Sequence, residues 1–289
     1  MMMIVLVYML LFIANMSTFE RSVFLDFFTE GGFKNVLSVS GYQNGMVGQC
    51  MFRMLVAPFR FDRHKYAKIS EGLLFNMYAF HDTHFERQRL MSSKLFWHEY
   101  FTTHRIKTPT LYAVTKPFKI LKKPYPNREY ITKPIHGLQG SGIHTIMGTD
   151  VGPTDEPRLI QEKIGACGYN GAQSFRVLTT YDGDVLAVKE FSNDNKTISN
   201  IAAGGKQVIC GADMCGKFTQ LKGIIEELNA AHTRDFSFCF CIGWDILIDC
   251  EHAYAIEGNW PPGLFDDSDI EADMYYDILL EKYKKMVIR

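Results

Sequence analysis

"YAIEGNWPPG", residues 254–263, closes an apolar strand on a glutamate and an asparagine two residues apart, and a Trp-Pro-Pro-Gly stop follows at once. Glu257 and Asn259 are residues that avoid burial unless something holds them. The segment before it, "GWDILID" (243–249), has strand periodicity: Trp244, Ile246 and Ile248 share one face, and Asp245, Leu247 and Asp249 share the other. In "AYAIEGN" (253–259), the same alternation groups Ala255, Glu257 and Asn259. A three-residue turn at Cys250-Glu251-His252 would set Asp245 directly opposite Glu257, with Cβ atoms about 4.5–5.5 Å apart. Two carboxylates so placed repel, and a divalent cation would remove the conflict. Carboxylate and amide oxygens, completed by water and substrate phosphates, are what Mg²⁺ takes. A solvated acidic hairpin is the competing reading.

The rest of the chain frames this hairpin. Its 289 residues suffice for one large domain or two smaller ones, and 47% hydrophobic content supports a full core. A formal net charge of -1 argues against a nucleic-acid protein that relies on overall positive charge. The seven cysteines include no C-x-x-C pair, so buried free thiols and a reducing, cytoplasmic setting are expected. Residues 1–14, "MMMIVLVYMLLFIA", are apolar but shorter than the roughly 20 residues of a membrane span. They lack the basic region of a signal peptide. A dispensable or buried segment and a weak membrane anchor are both open, and Met16 is an alternative start.

Two textures divide the sequence. Residues 1–90, rich in Phe, Met, His and Arg, read as mainly helical. "SSKLFWHEYFTTHRIKTP" (92–109) reads as a helix capped by Ser92 or Ser93. "KPFKILKKPYP" (116–126) has four lysines and three prolines; it is a solvated linker or edge, or a patch for anions. Strands follow at "EYITKP" and "RLIQEKI". "SFRVLTTYDGDVLAVKEF" is a hairpin turning at Asp182-Gly183. A helix ("FTQLKGIIEELNAAHTR"), the terminal hairpin and a closing helix complete an α+β pattern.

Other stretches add chemistry. "YITKPIHGLQGSGIH" lacks the Lys-Ser/Thr of a P-loop, but Gly137, Gly140 and Gly142 expose backbone N–H groups that wrap phosphate, and Lys133 reaches the same oxygens. The strand 158–162 runs into a hinge whose backbone at Lys163 and Ile164 is free to read an adenine edge. Arg176, in a strand between Phe175 and Val177, needs an anion partner. Asn200 precedes a second glycine pair, Gly204-Gly205. No Ser-His-Asp or Cys-His pattern stands out, and His136 and His144 are read as structural.

In order, these pieces (lysine strand, glycine loop, Q-E-K-I, S-F-R-V, S-N-I-A-A-G-G, W-D-I-L-I-D, I-E-G-N-W-P-P-G) resemble the ATP-grasp superfamily from about Ser92 to about Leu264. The last motif is most similar to its sugar-transfer-associated branch and to ligases that add glutamate to peptides. The resemblance implies two α+β lobes clasping ATP, about 91–164 and 165–289, behind the N-terminal region 1–90. It implies that Lys94 and Lys133 bind phosphate, with the loop of Gly137, Gly140, Ser141 and Gly142 as a lid. Gln161, with the backbone of Lys163 and Ile164, would hold adenine, and Gln173 or Asn170 the ribose. Arg176 would stabilise the γ-phosphate or an acyl-phosphate. Asp245, Glu257 and Asn259 would hold Mg²⁺, with Mn²⁺ as a substitute, and Asn200 and Lys206 would border the acceptor. Gln161 stands where many relatives carry glutamate. The implied activity joins a carboxylate to an amine with release of ADP. A phosphotransferase on a hydroxyl and a non-catalytic ATP-binding protein are the alternatives.

Overall fold

The structure is a computed structural model that describes residues 90–136, 141–165, 171–194, 206–210, 219–259 and positions 262, 278, 282 and 285. The chain divides into two compact units, residues 1–85 with 264–289, and residues 86–263. The readings made for residues 1–89 and for the closing helix lie almost wholly outside the described residues.

The second unit is α+β. Helix α1 (Lys94–Thr103) begins where Ser93 accepts a hydrogen bond from the Phe96 N–H at 3.3 Å, the cap expected from the sequence. Strands β1 (Leu111–Thr115), β2 (Phe118–Ile120), β3 (Glu129–Pro134), β4 (His144–Met147) and β5 (Arg158–Glu162) form a five-stranded sheet in the order β2-β1-β5-β3-β4. Strands β6 (Gly171–Thr180), β7 (Val185–Asp194), β8 (Lys206–Cys210), β9 (Cys241–Ile248) and β10 (Ala253–Asn259) form a second sheet, β10-β9-β6-β7-β8. Every pairing in both sheets is antiparallel. Helix α2 (Thr219–Asp235) connects β8 to β9.

One face of the second sheet is the main core. Phe175, Val177, Trp244 and Ile246 pack there against Trp97 and Phe101 of α1 and Leu221, Ile224 and Leu228 of α2. Three polar groups are buried within it as one satisfied chain. Trp244 Nε1–H donates to Thr179 Oγ1 at 2.7 Å, Thr179 meets His232 Nδ1 at 2.7 Å, and His232 Nε2 meets the Cys239 carbonyl at 2.8 Å. A carbonyl only accepts, so Nε2 carries the proton and Nδ1 accepts from the threonine hydroxyl. Burial holds His232 neutral and pushes its pKa down to about 4.

The β6–β7 turn falls at Asp182-Gly183 as expected; Gly183 has φ +91° and Asn229 Nδ2 donates to its carbonyl. Within the segment 116–126, Phe118–Ile120 forms β2, an outermost strand. Among the cysteines, Cys239 and Cys241 are buried thiols outside any disulfide, as expected. Cys250 is disulfide-bonded, which corrects the reading of all seven as thiols and removes that support for a reducing compartment. No described helix is long and apolar enough to cross a membrane.

Candidate active site

The opposite face of the second sheet carries the charge. Side chains alternate along a strand, so the residue after Trp244 turns away from the core. That residue, Asp245, pairs with Arg176 on one side and Glu257 on the other. The expected Asp245–Glu257 opposition is present, but the chain reaches it by a different route. The turn spans Asp249–His252, with the Asp249 carboxylate accepting from the N–H groups of Glu251 (2.8 Å) and His252 (2.6 Å). A bulge between Ala255 and Glu257 then restores the pairing. The bulge also corrects the face expected for Ala255: it lies in the core, and Glu257 and Asn259 face the other way.

The glycine between them follows from the same geometry. Gly258 is opposite Trp244, and a Cβ there would lie 2.7 Å from the Trp97 ring and 2.9 Å from that of Trp244. Only a residue without a side chain lets two tryptophans pack under a strand that displays Glu257 and Asn259 above.

Asp245 is gripped by a fork from Arg176, Nε to Oδ1 at 2.8 Å and Nη2 to Oδ2 at 3.1 Å. Asn259 Nδ2 donates to Asp245 Oδ2 at 3.0 Å and to the Gly243 carbonyl at 3.3 Å. Glu257 lies 3.4 Å from the ammonium of Lys94, at the start of α1. The Lys94 N–H donates to the Ile135 carbonyl, just beyond β3, and so ties this helix to the first sheet.

The first sheet contributes Lys133, which is 4% exposed. Burial pushes its pKa down to about 8, Glu257 and Asp245 pull it up, and Lys94 pushes it further down. These couplings put both lysines and both carboxylates in one electrostatic group. Among the described residues, Lys94, Lys133 and Arg176 gather around Asp245 and Glu257, and Lys189 is buried beside Arg176 in the ladder.

This overturns one step of the sequence argument. The two carboxylates do not face each other uncompensated; Arg176 neutralises one and Lys94 the other. A metal is not needed to relieve repulsion. The donor set still fits a hard cation: two carboxylates and an amide whose Oδ1 is not used by the bonds to Gly243 and Asp245, with remaining ligands from phosphate.

The other expected residues divide. Gln161, buried on the Lys133 face of the first sheet, has its amide 3.4 Å from His98 Nδ1. Burial, then the charge of Lys133, lowers the His98 pKa to about 4, so the ring is neutral and Nδ1 can accept from the Gln161 amide N–H. After Glu162 the chain leaves the ladder, as a backbone hinge at Lys163 and Ile164 requires; the Lys163 side chain pairs with Glu129 at 2.6 Å. Ser141 and Gly142 form a turn in which Gly142 has φ +73° and its carbonyl accepts from Arg158. Gln173 shares the core-side register with Phe175 and bonds Glu190 at 2.7 Å, on the face opposite Arg176. Lys206 is an exposed residue of the far edge strand, 3.8 Å from Asp194, and is not brought to the group. Gly137, Gly140, Asn170 and Asn200 lie outside the described residues.

His98 and Lys189 were not anticipated. Lys189 left a sequence signal, a charge inside the apolar run "VLAVKEF", whereas His98 left none, because its partner is 63 residues away.

No protein-family model and no curated protein matches the chain. Solved structures of ATP-grasp ligases are similar to it. D-alanine–D-alanine ligase from Bacillus anthracis is 12% identical, with 68% of each chain covered and a TM-score of 0.46. An ATP-grasp ligase associated with ribosomally made peptides, from Chryseobacterium gregarium and in complex with ADP and a leader and core peptide, is 16% identical, with 67% of this chain and 61% of that one covered and a TM-score of 0.43. D-cycloserine synthetase is 10% identical, with 75% and 79% covered and a TM-score of 0.43.

Proposed function

We propose that the chain is an ATP-grasp carboxylate–amine ligase that forms ADP through an acyl-phosphate. The observation that carries this reading is the convergence of Lys94, Lys133 and Arg176 on Asp245 and Glu257, with Lys133 buried. An oligophosphate is the anion that such a face accommodates. The order of motifs along the chain supports the same reading, and the wording of the terminal motif favours the sugar-transfer-associated branch.

In this mechanism Lys133 and Lys94 neutralise the phosphates of bound ATP, and Arg176 faces the transferring group or the acyl-phosphate. Gln161 and the hinge at Lys163 and Ile164 hold adenine, and Ser141 and Gly142 end the loop that covers the phosphates. Asp245, Glu257 and Asn259 would hold Mg²⁺, which supplies charge neutralisation at the phosphates. The acceptor carboxylate attacks the γ-phosphorus, and ADP leaves. An amine then attacks the acyl carbon, inorganic phosphate leaves, and the amine proton passes to solvent. Catalysis rests on position and charge, with no protein nucleophile. A role for Asn200 at the acceptor border is part of the proposal, as is ribose binding by Asn170, whereas Lys206 and Gln173 point away from this group.

The test is ADP release from the full chain, with panels of acids and amines supplied separately and together. Release that requires both supports ligation. Release with a hydroxyl compound and no amine, giving a phosphorylated product, replaces ligation by phosphotransfer.

A further inference from the structure

We infer that the hairpin around β2 is a docking element for lipid bilayers carrying anionic headgroups. Between Lys116 and Arg128 the chain holds lysines at 116, 119, 122 and 123 and no acid. All four lysines are exposed, and no ion pair among the described residues involves them. Lys116 Nζ donates to a backbone carbonyl, that of Asp155, and Lys122 lies 5.2 Å over the Tyr112 ring. Neither contact cancels a charge.

Large apolar side chains stand among them. Phe118 is 42% exposed, Ile120 52%, Leu121 47% and Tyr125 60%. Four of the nine large apolar residues found exposed in the described chain therefore fall within eight positions, two on the edge strand β2 and two just after it. Lysine and proline on an edge strand are explained by the need to block strand addition. The apolar side chains are not, since they make an edge stickier.

An anionic bilayer satisfies both halves. Ammonium groups meet headgroup phosphates and carboxylates, while Phe118, Ile120, Leu121 and Tyr125 enter the boundary with the acyl chains. Nucleic acid offers the charge, but gives aliphatic Ile120 and Leu121 nothing to enter. Under the weak-anchor reading of residues 1–14, that run would add the second signal with which peripheral attachment becomes stable.

The experiment is flotation of the full chain with vesicles of phosphatidylcholine alone and of phosphatidylcholine with phosphatidylserine. Wild type should prefer the anionic vesicles and lose at least ~10-fold of that binding in high salt. Lys119→Glu with Lys122→Glu and Lys123→Glu should abolish the preference. Ile120→Ser with Leu121→Ser should weaken binding at least ~10-fold even in low salt. Melting of each variant checks that it is folded, and the salt dependence of wild type tests the proposal if one is not. Equal binding to both vesicles, or variants that bind as wild type does, would overturn the proposal and leave residues 1–14 as the only membrane contact. An oligonucleotide bound in place of vesicles, by wild type and the serine variant alike, would also overturn it.

Discussion

Trp244 and Asp245 are neighbours in β9, yet they belong to opposite regions of the molecule. On the Trp244 side, two helices cover the sheet and every polar atom of the Trp244–Thr179–His232 chain is matched without a formal charge. On the Asp245 side, Arg176 and Lys94 pair with the carboxylates, and burial pushes the pKa of Lys133 down to about 8. One face is apolar and neutral, and the other gathers charged side chains. A strand of period two lets a single segment do both. The bulge at Ile256 and the bare Gly258 keep the two functions in register on β10.

Substitutions on the two faces should therefore behave differently. The largest effect is expected for Trp244→Ala. It empties a fully buried site and leaves Thr179 without its donor, so unfolding in urea should show a loss of about 3–5 kcal/mol. A loss under about 1 kcal/mol would mean that this face is not the stabilising one.

His232 gives the same face a pH signature. The unfolded chain takes up a proton on this residue below about pH 6.5, while the folded chain resists until about pH 4. Stability at neutral pH should be lost as pH falls through that window, by up to about 3 kcal/mol. His232→Gln should be less stable at pH 7 and flatter with pH. An unchanged slope in the variant would show that His232 is not the group responsible.

Glu257→Gln sharpens the comparison from the charged side. If the carboxylates simply repelled each other, the variant would be more stable than wild type. With Lys94 at 3.4 Å and Lys133 coupled to it, removal of the anion leaves buried ammonium groups less compensated. Melting without nucleotide should show a loss of about 1–3 kcal/mol, together with loss of turnover. A stabilised variant would restore the repulsion picture.

The fold was legible where local rules act alone. Ser93 before a helical pattern, Asp182-Gly183 between alternating runs, and the strands "EYITKP" and "RLIQEKI" all stand where local chemistry puts them. The opposition of Asp245 and Glu257 was legible too, although the turn and the face of Ala255 were not, because a one-residue bulge leaves no mark on composition. What the sequence hid was compensation of charge. Arg176 meets Asp245 only because β6 lies beside β9, a pairing 69 residues apart, and Lys94 meets Glu257 only because α1 packs near β10. Such partners depend on strand order, which no local pattern encodes.

The central claim is that the charged face exists to receive the phosphates of a nucleotide, and Lys133→Met tests it most directly. At pH 7 the buried ammonium costs up to about 3 kcal/mol, from the distance between its ordinary pKa and about 8. The folded state protonates less readily than the unfolded one, so this cost is present below pH 8 and relieved between about 8 and 10.5. Melting of wild type and Lys133→Met at pH 7, with and without Mg²⁺-ATP, reads both halves of the claim. Without nucleotide the variant should be as stable as wild type or more so. With saturating Mg²⁺-ATP, wild type should gain about 2.7 kcal/mol at a hundredfold excess over Kd, and the variant little or nothing. A variant less stable than wild type without nucleotide, yet stabilised equally by Mg²⁺-ATP, would contradict the account and make Lys133 a structural residue.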